Sequence, residues 1–158
     1  MLAAALGDTE TIQLLLQYGA KVGITMSCEG GADEDGRMII ISPLLIACEY
    51  GQVAALRLLL EHGADANKQF KFCHNNTILM YLFRYGRWVI QQYYTGQTHR
   101  HEPDRSQDMQ NCLKLLLQYG ADVTLTNDQG ESVYDYVRDP VIHQIFAEHS
   151  AEAKPSLE

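Results

Sequence analysis

The chain has 158 residues, of which 46% are hydrophobic, and a formal net charge of −8. This length and composition correspond to one domain with a sizeable core. The negative charge argues against nucleic acid and anionic membrane surfaces as partners, because both need a basic footprint. No apolar run in the sequence is long enough to span a bilayer. The four cysteines include no closely spaced pair, so we expect a reducing compartment and a cytoplasmic location.

Residues 1–22 read as a helix end followed by a second helix. The segment Ala3-Ala4-Ala5-Leu6-Gly7 ends the first helix, and Asp8 or Thr9 can cap the next, which stops at Gly19. This half-unit lacks the polar cap that the end of a repeat array needs. Two explanations stay open: the chain is a fragment of a longer protein, or another chain covers this end, for example through self-association.

Residues 23–41 predict a β-hairpin finger. Their flanks, residues 24–27 and 38–41, have strand character, and the Gly-rich acidic segment 29–37 between them has the composition of a turn. The acidic run Asp33-Glu34-Asp35 lacks the further ligands of a calcium loop, so we predict a solvated turn there.

Residues 42–67 are the most regular unit, with two short antiparallel helices. Ser42 can cap the first helix with Pro43 as its first residue, and Gly51 lets the chain reverse. The second helix ends at Gly63 in a left-handed cap. Because this second helix is apolar on more than one face, neighbours must cover it on both sides. The unit therefore requires copies of itself.

Those copies are present in the sequence. The glycines Gly19, Gly63 and Gly120 open the same turn, and a leucine run precedes each of them, at residues 14–16, 58–60 and 115–117. The pattern indicates a repeat array. The segment Ser42-Pro43-Leu44-Leu45-Ile46-Ala47 resembles the Thr-Pro-Leu-His-x-Ala signature of the ankyrin repeat family, with Leu45 in the place of histidine. The resemblance implies an all-α solenoid of about three to four stacked helix-turn-helix units with β-turn or hairpin fingers.

The resemblance also implies one domain over residues 1–150. Its units lie at residues 1–22, 42–67 and 77–123, with a capping unit at 127–149. The family period of about 33 residues leaves two insertions, the hairpin 23–41 and the segment 87–107. Residues 151–158 are predicted to be a tail, and its last pair, Leu157-Glu158, looks like a cloning scar.

The second insertion extends a helix past Gly86 and is rich in aromatic residues. Tyr81, Tyr85, Trp88 and Gln92 fall on one stripe of that helix. Either the polar loop of residues 95–105 folds over this insertion, or the insertion is an exposed apolar patch that awaits a partner.

No group of residues predicts chemistry. His74, His99 and His101 with Cys73 match no zinc-binding spacing, and Cys73 and His74 are merely adjacent. The sequence contains no glycine-rich loop that would hold a phosphate. We therefore predict a protein that is not an enzyme and needs neither a cofactor nor a metal.

The resemblance implies binding to a protein partner through the concave face and the inserted loops. In the family this face consists of the turn tips and the two residues before the mid-repeat glycine. With the inserted aromatic residue, the predicted contacts are Glu49, Tyr50, Arg84, Tyr85, Trp88, Asp128, Gln129 and Glu131. The alternative is a recognition segment of a larger enzyme or of a secreted bacterial effector that acts in the host cytosol, with its catalytic part outside this chain.

Overall fold

The computed structural model describes residues 1–32, 38–84 and 107–152. The helices are α1 (Leu2–Leu6), α2 (Thr9–Gln17), α3 (Pro43–Glu49), α4 (Val53–Glu61), α5 (Ile78–Arg84), α6 (Gln107–Gln118) and α7 (Pro140–Glu152). The strands are β1 (Met26–Ala32), β2 (Met38–Ile41), β3 (Gln69–Phe70) and β4 (Asn76–Thr77). Short 3-10 turns lie at Lys71–Cys73 and Val133–Asp135.

The helices stack in two rows. The first row runs α1, α3, α5 and then the 3-10 turn Val133–Asp135, and the second row runs α2, α4, α6 and α7. Within a unit the two helices pack on each other, as α1 does on α2 and α3 on α4. This order confirms the predicted all-α solenoid of helix-turn-helix units.

The predicted helix starts are present. The side chain of Ser42 accepts a hydrogen bond from the Leu45 N–H at 3.1 Å, and Pro43 is the first residue of α3. Of the two candidates for capping α2, Asp8 takes the role, and its side chain accepts from the Thr11 N–H at 3.0 Å.

The turn glycines also behave as predicted. Gly63 follows α4 with a φ of 85°, and the next residue, Ala64, donates its N–H to the Leu59 carbonyl at 3.0 Å. Gly19 and Gly120 adopt φ values of 84° and 83° after the equivalent helices. Residues with a Cβ are strained at this φ, which explains why the same turn begins with glycine each time.

The core lies between the two rows of helices. Its largest fully buried side chains are Tyr81, Phe146, Leu45, Ile46, Leu56, Ile78, Leu79, Met80 and Leu113. Cys48 and Cys112 are buried core residues, as predicted, and burial raises the pKa of the Cys112 thiol to about 12. Tyr81 was expected on the aromatic stripe of the second insertion. It lies in the core, with its ring centroid 6.0 Å from that of Phe70, so this part of the stripe packs on the array.

The predicted hairpin finger is confirmed in its strand pairing. β1 pairs antiparallel with β2, with Met26 opposite Ile41 and Cys28 opposite Ile39. The register shifts between Cys28 and Ala32, so β1 continues into the Gly-rich segment that was expected to be a turn. Residues 33–37, the tip, lie outside the described residues.

A second, smaller hairpin occupies a stretch that was expected to be a plain connection. β3 pairs antiparallel with β4, with Phe70 opposite Asn76, and the 3-10 turn Lys71–Cys73 joins them. His74 and Asn75 complete the reversal with φ values of 55° and 57°. Strands of two residues are too short to show an alternating pattern, so the sequence does not signal them.

The last unit begins irregularly and ends in the longest helix that the structure describes. Its first-row position holds only the 3-10 turn Val133–Asp135, which is closed by a capping box between Ser132 and Asp135. The carboxylate of Asp139 accepts from the Val141 N–H at 2.9 Å at the start of α7. α7 extends to Glu152, two residues into the segment predicted to be a tail.

Candidate partner-binding surface

A cluster of polar side chains surrounds the end of α5. Nη1 of Arg84 donates to the Tyr136 hydroxyl at 2.6 Å and to Oε1 of Gln129 at 3.2 Å. The same nitrogen lies 3.4 Å from Oε2 of Glu131, and the guanidinium carbon lies 5.3 Å from the centre of the Tyr136 ring. We call Arg84, Asn127, Gln129, Glu131 and Tyr136 the Arg84 cluster.

Asn127 holds the turn that supplies the acceptors of the cluster. Its Oδ1 accepts from the backbone N–H groups of Gln129 and Glu131, both at 2.9 Å. Its Nδ2 donates to Oδ1 of Asn76 at 2.8 Å and to the Tyr136 hydroxyl at 3.0 Å. Asn127 is buried, and its side chain bonds local backbone as asparagines in turns do. These internal hydrogen bonds therefore fix the conformation of the turn in the absence of a partner.

Hydrogen bonds and burial shift the pKa values of two groups in the cluster. The pKa of the Glu131 carboxyl lies below its ordinary value, first because the Tyr136 hydroxyl donates to it and then because the Asn127 amide does. The pKa of Tyr136 lies above its ordinary value, first because burial disfavours the phenolate and then because Glu131 accepts its hydrogen bond. At neutral pH the cluster thus pairs one guanidinium with one carboxylate and a neutral phenol.

The structure brings three of the predicted contact residues together in this cluster, namely Arg84, Gln129 and Glu131. Asp128 lies beside them in the same turn, where its Oδ1 accepts from Nδ2 of Asn75 at 2.6 Å. This bond joins the turn to the β3–β4 hairpin. Residues far apart in the chain are thus held side by side at one end of the stack.

The remaining predicted contacts have different environments. Glu49 is only 4% exposed at the end of α3, so it lies within the stack. Its neighbour Tyr50 is partly buried against the core and keeps some surface. Tyr85 and Trp88 lie outside the described residues. The position before a mid-repeat glycine therefore does not by itself guarantee exposure.

Sequence reasoning missed Asn127 and Tyr136 as members of the site. Asn127 carried a usable signal, because an asparagine at the first position of a turn commonly bonds the backbone two residues on. Tyr136 carried none, since its hydroxyl meets an arginine that is 52 residues away in the chain.

The described residues contain no group of side chains arranged to bind a metal ion. Across residues 1–32, 38–84 and 107–152, no three His, Cys, Asp or Glu side chains gather where they could hold a metal ion. His99 and His101 lie outside these ranges. Within the same ranges, none of the helices has the length and hydrophobicity needed to traverse a bilayer.

The stacked units and glycine turns agree with a comparison of the sequence with known families. The sequence model of the family described as ankyrin repeats, in three copies, matches residues 1–94. The chain belongs to the ankyrin repeat family. Ankyrin repeats are in general protein–protein interaction modules, and ankyrin domains are typically non-catalytic.

Two known ankyrin proteins are similar to this chain. Ankyrin repeat and SAM domain-containing protein 6 of Danio rerio is 34% identical over an alignment of 88 residues, and the match covers 48% of this chain and 11% of that protein. The crystal structure of the ankyrin repeat domain of Bcl-3, a unique member of the IkappaB protein family, covers 92% of this chain with a TM-score of 0.55. Its sequence identity is 23%, so this match shows the ankyrin fold alone. The chain spans half of that domain and about a tenth of the zebrafish protein.

Proposed function

We propose that this ankyrin domain is a binding module that holds a protein partner, without catalysis, through the side of the stack that carries the Arg84 cluster. Tyr50 extends this surface, because it directly follows the last residue of α3, and α3 is the first-row neighbour of α5, which ends at Arg84. The observation that carries the proposal is the cluster itself, a set of donors and acceptors held in place by internal hydrogen bonds and still reachable from outside.

Preorganisation is what makes such a cluster suitable for recognition. Side chains that are already fixed lose little conformational entropy when a partner binds, so more of the contact energy appears as affinity. The side chains of Arg84 and Glu131 are 19% and 38% exposed, which leaves polar atoms within reach of a partner. Arginine and tyrosine are also the residue types that most often dominate interface energies.

Charge favours one kind of partner. The cluster is nearly balanced, but it belongs to a chain with a net charge of −8. The long-range field of an acidic protein attracts a partner with a basic surface and raises its association rate. We propose that the partner presents such a surface and that the two meet in the cytoplasm, where buried thiols such as Cys48 and Cys112 stay reduced.

The proposal is tested with a partner captured from a cell lysate and an affinity measured by calorimetry. Gln129→Ala removes a cluster side chain that accepts a hydrogen bond from Arg84 at 3.2 Å, and Tyr50→Ala removes an aromatic side chain. We expect either change to weaken binding by roughly tenfold, the loss typical of an interface residue that matters. Arg57→Ala and Lys114→Ala, which remove exposed charges from the second row, are the matched controls.

Each variant is also checked for its fold by thermal unfolding, because Arg84→Ala removes internal contacts as well as a candidate external one. The further variants Tyr85→Ala and Trp88→Ala test the predicted contacts of the second insertion. The proposed surface would be refuted if affinity stayed unchanged in all of the test variants, Gln129→Ala, Tyr50→Ala, Arg84→Ala, Tyr85→Ala and Trp88→Ala. Loss of binding in the second-row controls would instead indicate that the partner binds on the other side of the stack.

A further inference from the structure

A small pocket lies at the root of the hairpin finger, where the chain leaves the first unit. Its volume is about 130 Å³. An engineered cavity of about 150 Å³ holds a molecule of benzene, so this pocket has room for the head group of one small side chain. Residues of three consecutive units line it, among them Val22, Gly23, Leu44, Gly63, Asp65 and Ile78. We call it the Gly23 pocket.

The turn after α4 shows which group occupies the corresponding place one unit further along the stack. Asn67 lies four residues after Gly63, and its side chain bridges to the next turn. Nδ2 of Asn67 donates to the Gly120 carbonyl, and Oδ1 accepts from the Asp122 N–H, each at 2.7 Å. A primary amide suits this position because it carries a donor and an acceptor side by side. One carboxamide therefore joins these two turns.

Gly23 stands at the position equivalent to Asn67, four residues after the turn glycine of its own unit, and has no side chain to make this bridge. The residues that such a bridge would reach are Gly63 and Asp65, and both line the Gly23 pocket. Among the described residues, neither the Gly63 carbonyl nor the Asp65 N–H takes part in a hydrogen bond. The pocket therefore presents the same acceptor and donor that a carboxamide satisfies in the next turn.

We propose that the Gly23 pocket binds the carboxamide of an asparagine side chain that the protein partner supplies, an inference that rests on the proposed function. The bound amide takes the role that Asn67 has in the next turn. Its NH₂ group donates to the Gly63 carbonyl, and its oxygen accepts from the Asp65 N–H. The aliphatic residues of the lining suit the methylene of that side chain. An apolar side chain of the same shape is rejected, because it would leave both backbone groups unpaired.

The test uses two probes of the same shape, N-acetyl-asparagine methylamide and N-acetyl-leucine methylamide. Each is titrated into the isotope-labelled full chain, and NMR follows the backbone amides. We expect the asparagine probe to shift the Asp65 N–H resonance in a saturable way. The leucine probe should bind roughly tenfold more weakly or worse, because two hydrogen bonds are missing. A pocket that holds only water would show no saturable shift or no preference between the probes, and either result would overturn the proposal.

Gly23→Asn and Gly23→Ala are the matched variants. Gly23 has no positive φ, and a Cβ added there meets no atom within 4 Å, so both variants should fold. Gly23→Asn supplies the amide from within the chain, so it should abolish the response of the Asp65 N–H to the asparagine probe. It should also raise Tm by roughly 2–4 °C relative to Gly23→Ala. Gly23→Ala should keep the response, and equal responses in the two variants would overturn the proposal.

Partner binding separates this inference from the proposed function, because the Gly23 pocket and the Arg84 cluster lie at opposite ends of α5. Gly23→Asn should weaken the affinity for the captured partner by roughly tenfold, whereas Gly23→Ala should not. If Gly23→Asn had no effect while Gln129→Ala weakened binding, the pocket would be overturned and the proposed surface would stand. If the asparagine probe and Gly23→Asn behaved as expected while the cluster variants had no effect, the proposed surface would fail and the pocket would stand.

Discussion

The first unit, α1 and α2, and the central unit, α3 and α4, share a sequence pattern and differ in environment. Each has two helices, a leucine run and a glycine with positive φ after the second helix. In the central unit Leu58, Leu59 and Leu60 are all buried, whereas in the first unit Leu14 and Leu15 are about half exposed. The pattern thus specifies the helices, and the neighbours decide how much each leucine contributes to stability.

The hydrogen bonds between units show the same difference between the first unit and the central unit. Among the described residues, one side-chain hydrogen bond joins the first unit to the central unit, from Nε2 of Gln52 to the Ala5 carbonyl at 3.1 Å. On the other side of the central unit, Asn67 alone makes two bonds to the turn after α6, each at 2.7 Å. We therefore expect the first unit to open more easily than the rest of the stack.

The largest expected effect is a difference in the free energy of unfolding between alanine substitutions at two equivalent leucines. Leu59→Ala should lower the free energy of unfolding by about 2–5 kcal/mol, because it leaves a cavity in a packed core. Leu15→Ala should cost about 1 kcal/mol or less, since the side chain is already half in water and leaves no enclosed cavity. Urea unfolding at low protein concentration measures both. Equal losses would contradict the contrast between the units.

A smaller loss in the free energy of unfolding is expected when hydrogen bonds between units are removed. Asn67→Ala removes two bonds to the Gly120 carbonyl and the Asp122 N–H, and should cost about 1–2 kcal/mol. Gln52→Ala removes one bond and should cost about 0.5–1 kcal/mol. Thermal unfolding gives the order of the two losses. If Gln52→Ala proved the more damaging, the first unit would be held more firmly than its contacts indicate.

The smallest effect is a pH dependence of the helix cap at the start of α2, in the first unit. The pKa of Asp8 lies below its ordinary value, first because the Thr11 hydroxyl donates to the carboxylate and then because the Thr11 N–H does. The stabilisation is therefore present at neutral pH and is lost as pH falls through the folded-state pKa. α3 has a cap that does not titrate in this range, because Ser42 provides it.

Hydrogen exchange resolves this difference residue by residue. As pH falls, the protection factor of the Thr11 amide should drop, while that of the Leu45 amide should stay constant. In Asp8→Asn the cap is kept without a titrating group, so the Thr11 protection factor should no longer depend on pH. A parallel drop at both amides would mean that the whole stack, and not the first unit, responds to acid.

Local signals were enough to predict most of the regular structure. Ser42 with Pro43, and Asp139 with Pro140, marked helix starts that the structure contains, and Gly63 marked a helix end. Each of these signals acts over a few residues, through a cap or a backbone dihedral that the residue type itself favours. Periodicity of the leucine runs then indicated the repeat, and hence the stacking.

Local sequence signals predicted only part of the candidate site. Gln129 and Glu131 could be named because they lie in a recognisable turn, and Arg84 because it precedes a mid-repeat glycine. That Arg84 reaches Gln129 and Tyr136, residues 45 and 52 positions further along the chain, follows from the stacking of α5 against the last unit. Glu49 occupies the position equivalent to Arg84 and is nevertheless buried.

The sequence by itself determined the helices, the turns between them and the repeated unit, because these depend on interactions between residues close in the chain. The tertiary structure alone decided which of the equivalent leucines are covered, where Tyr81 lies and which polar groups form the Arg84 cluster. Burial and long-range hydrogen bonds depend on what packs on each side of a unit, and a repeated sequence pattern is the same whether that side is covered or exposed.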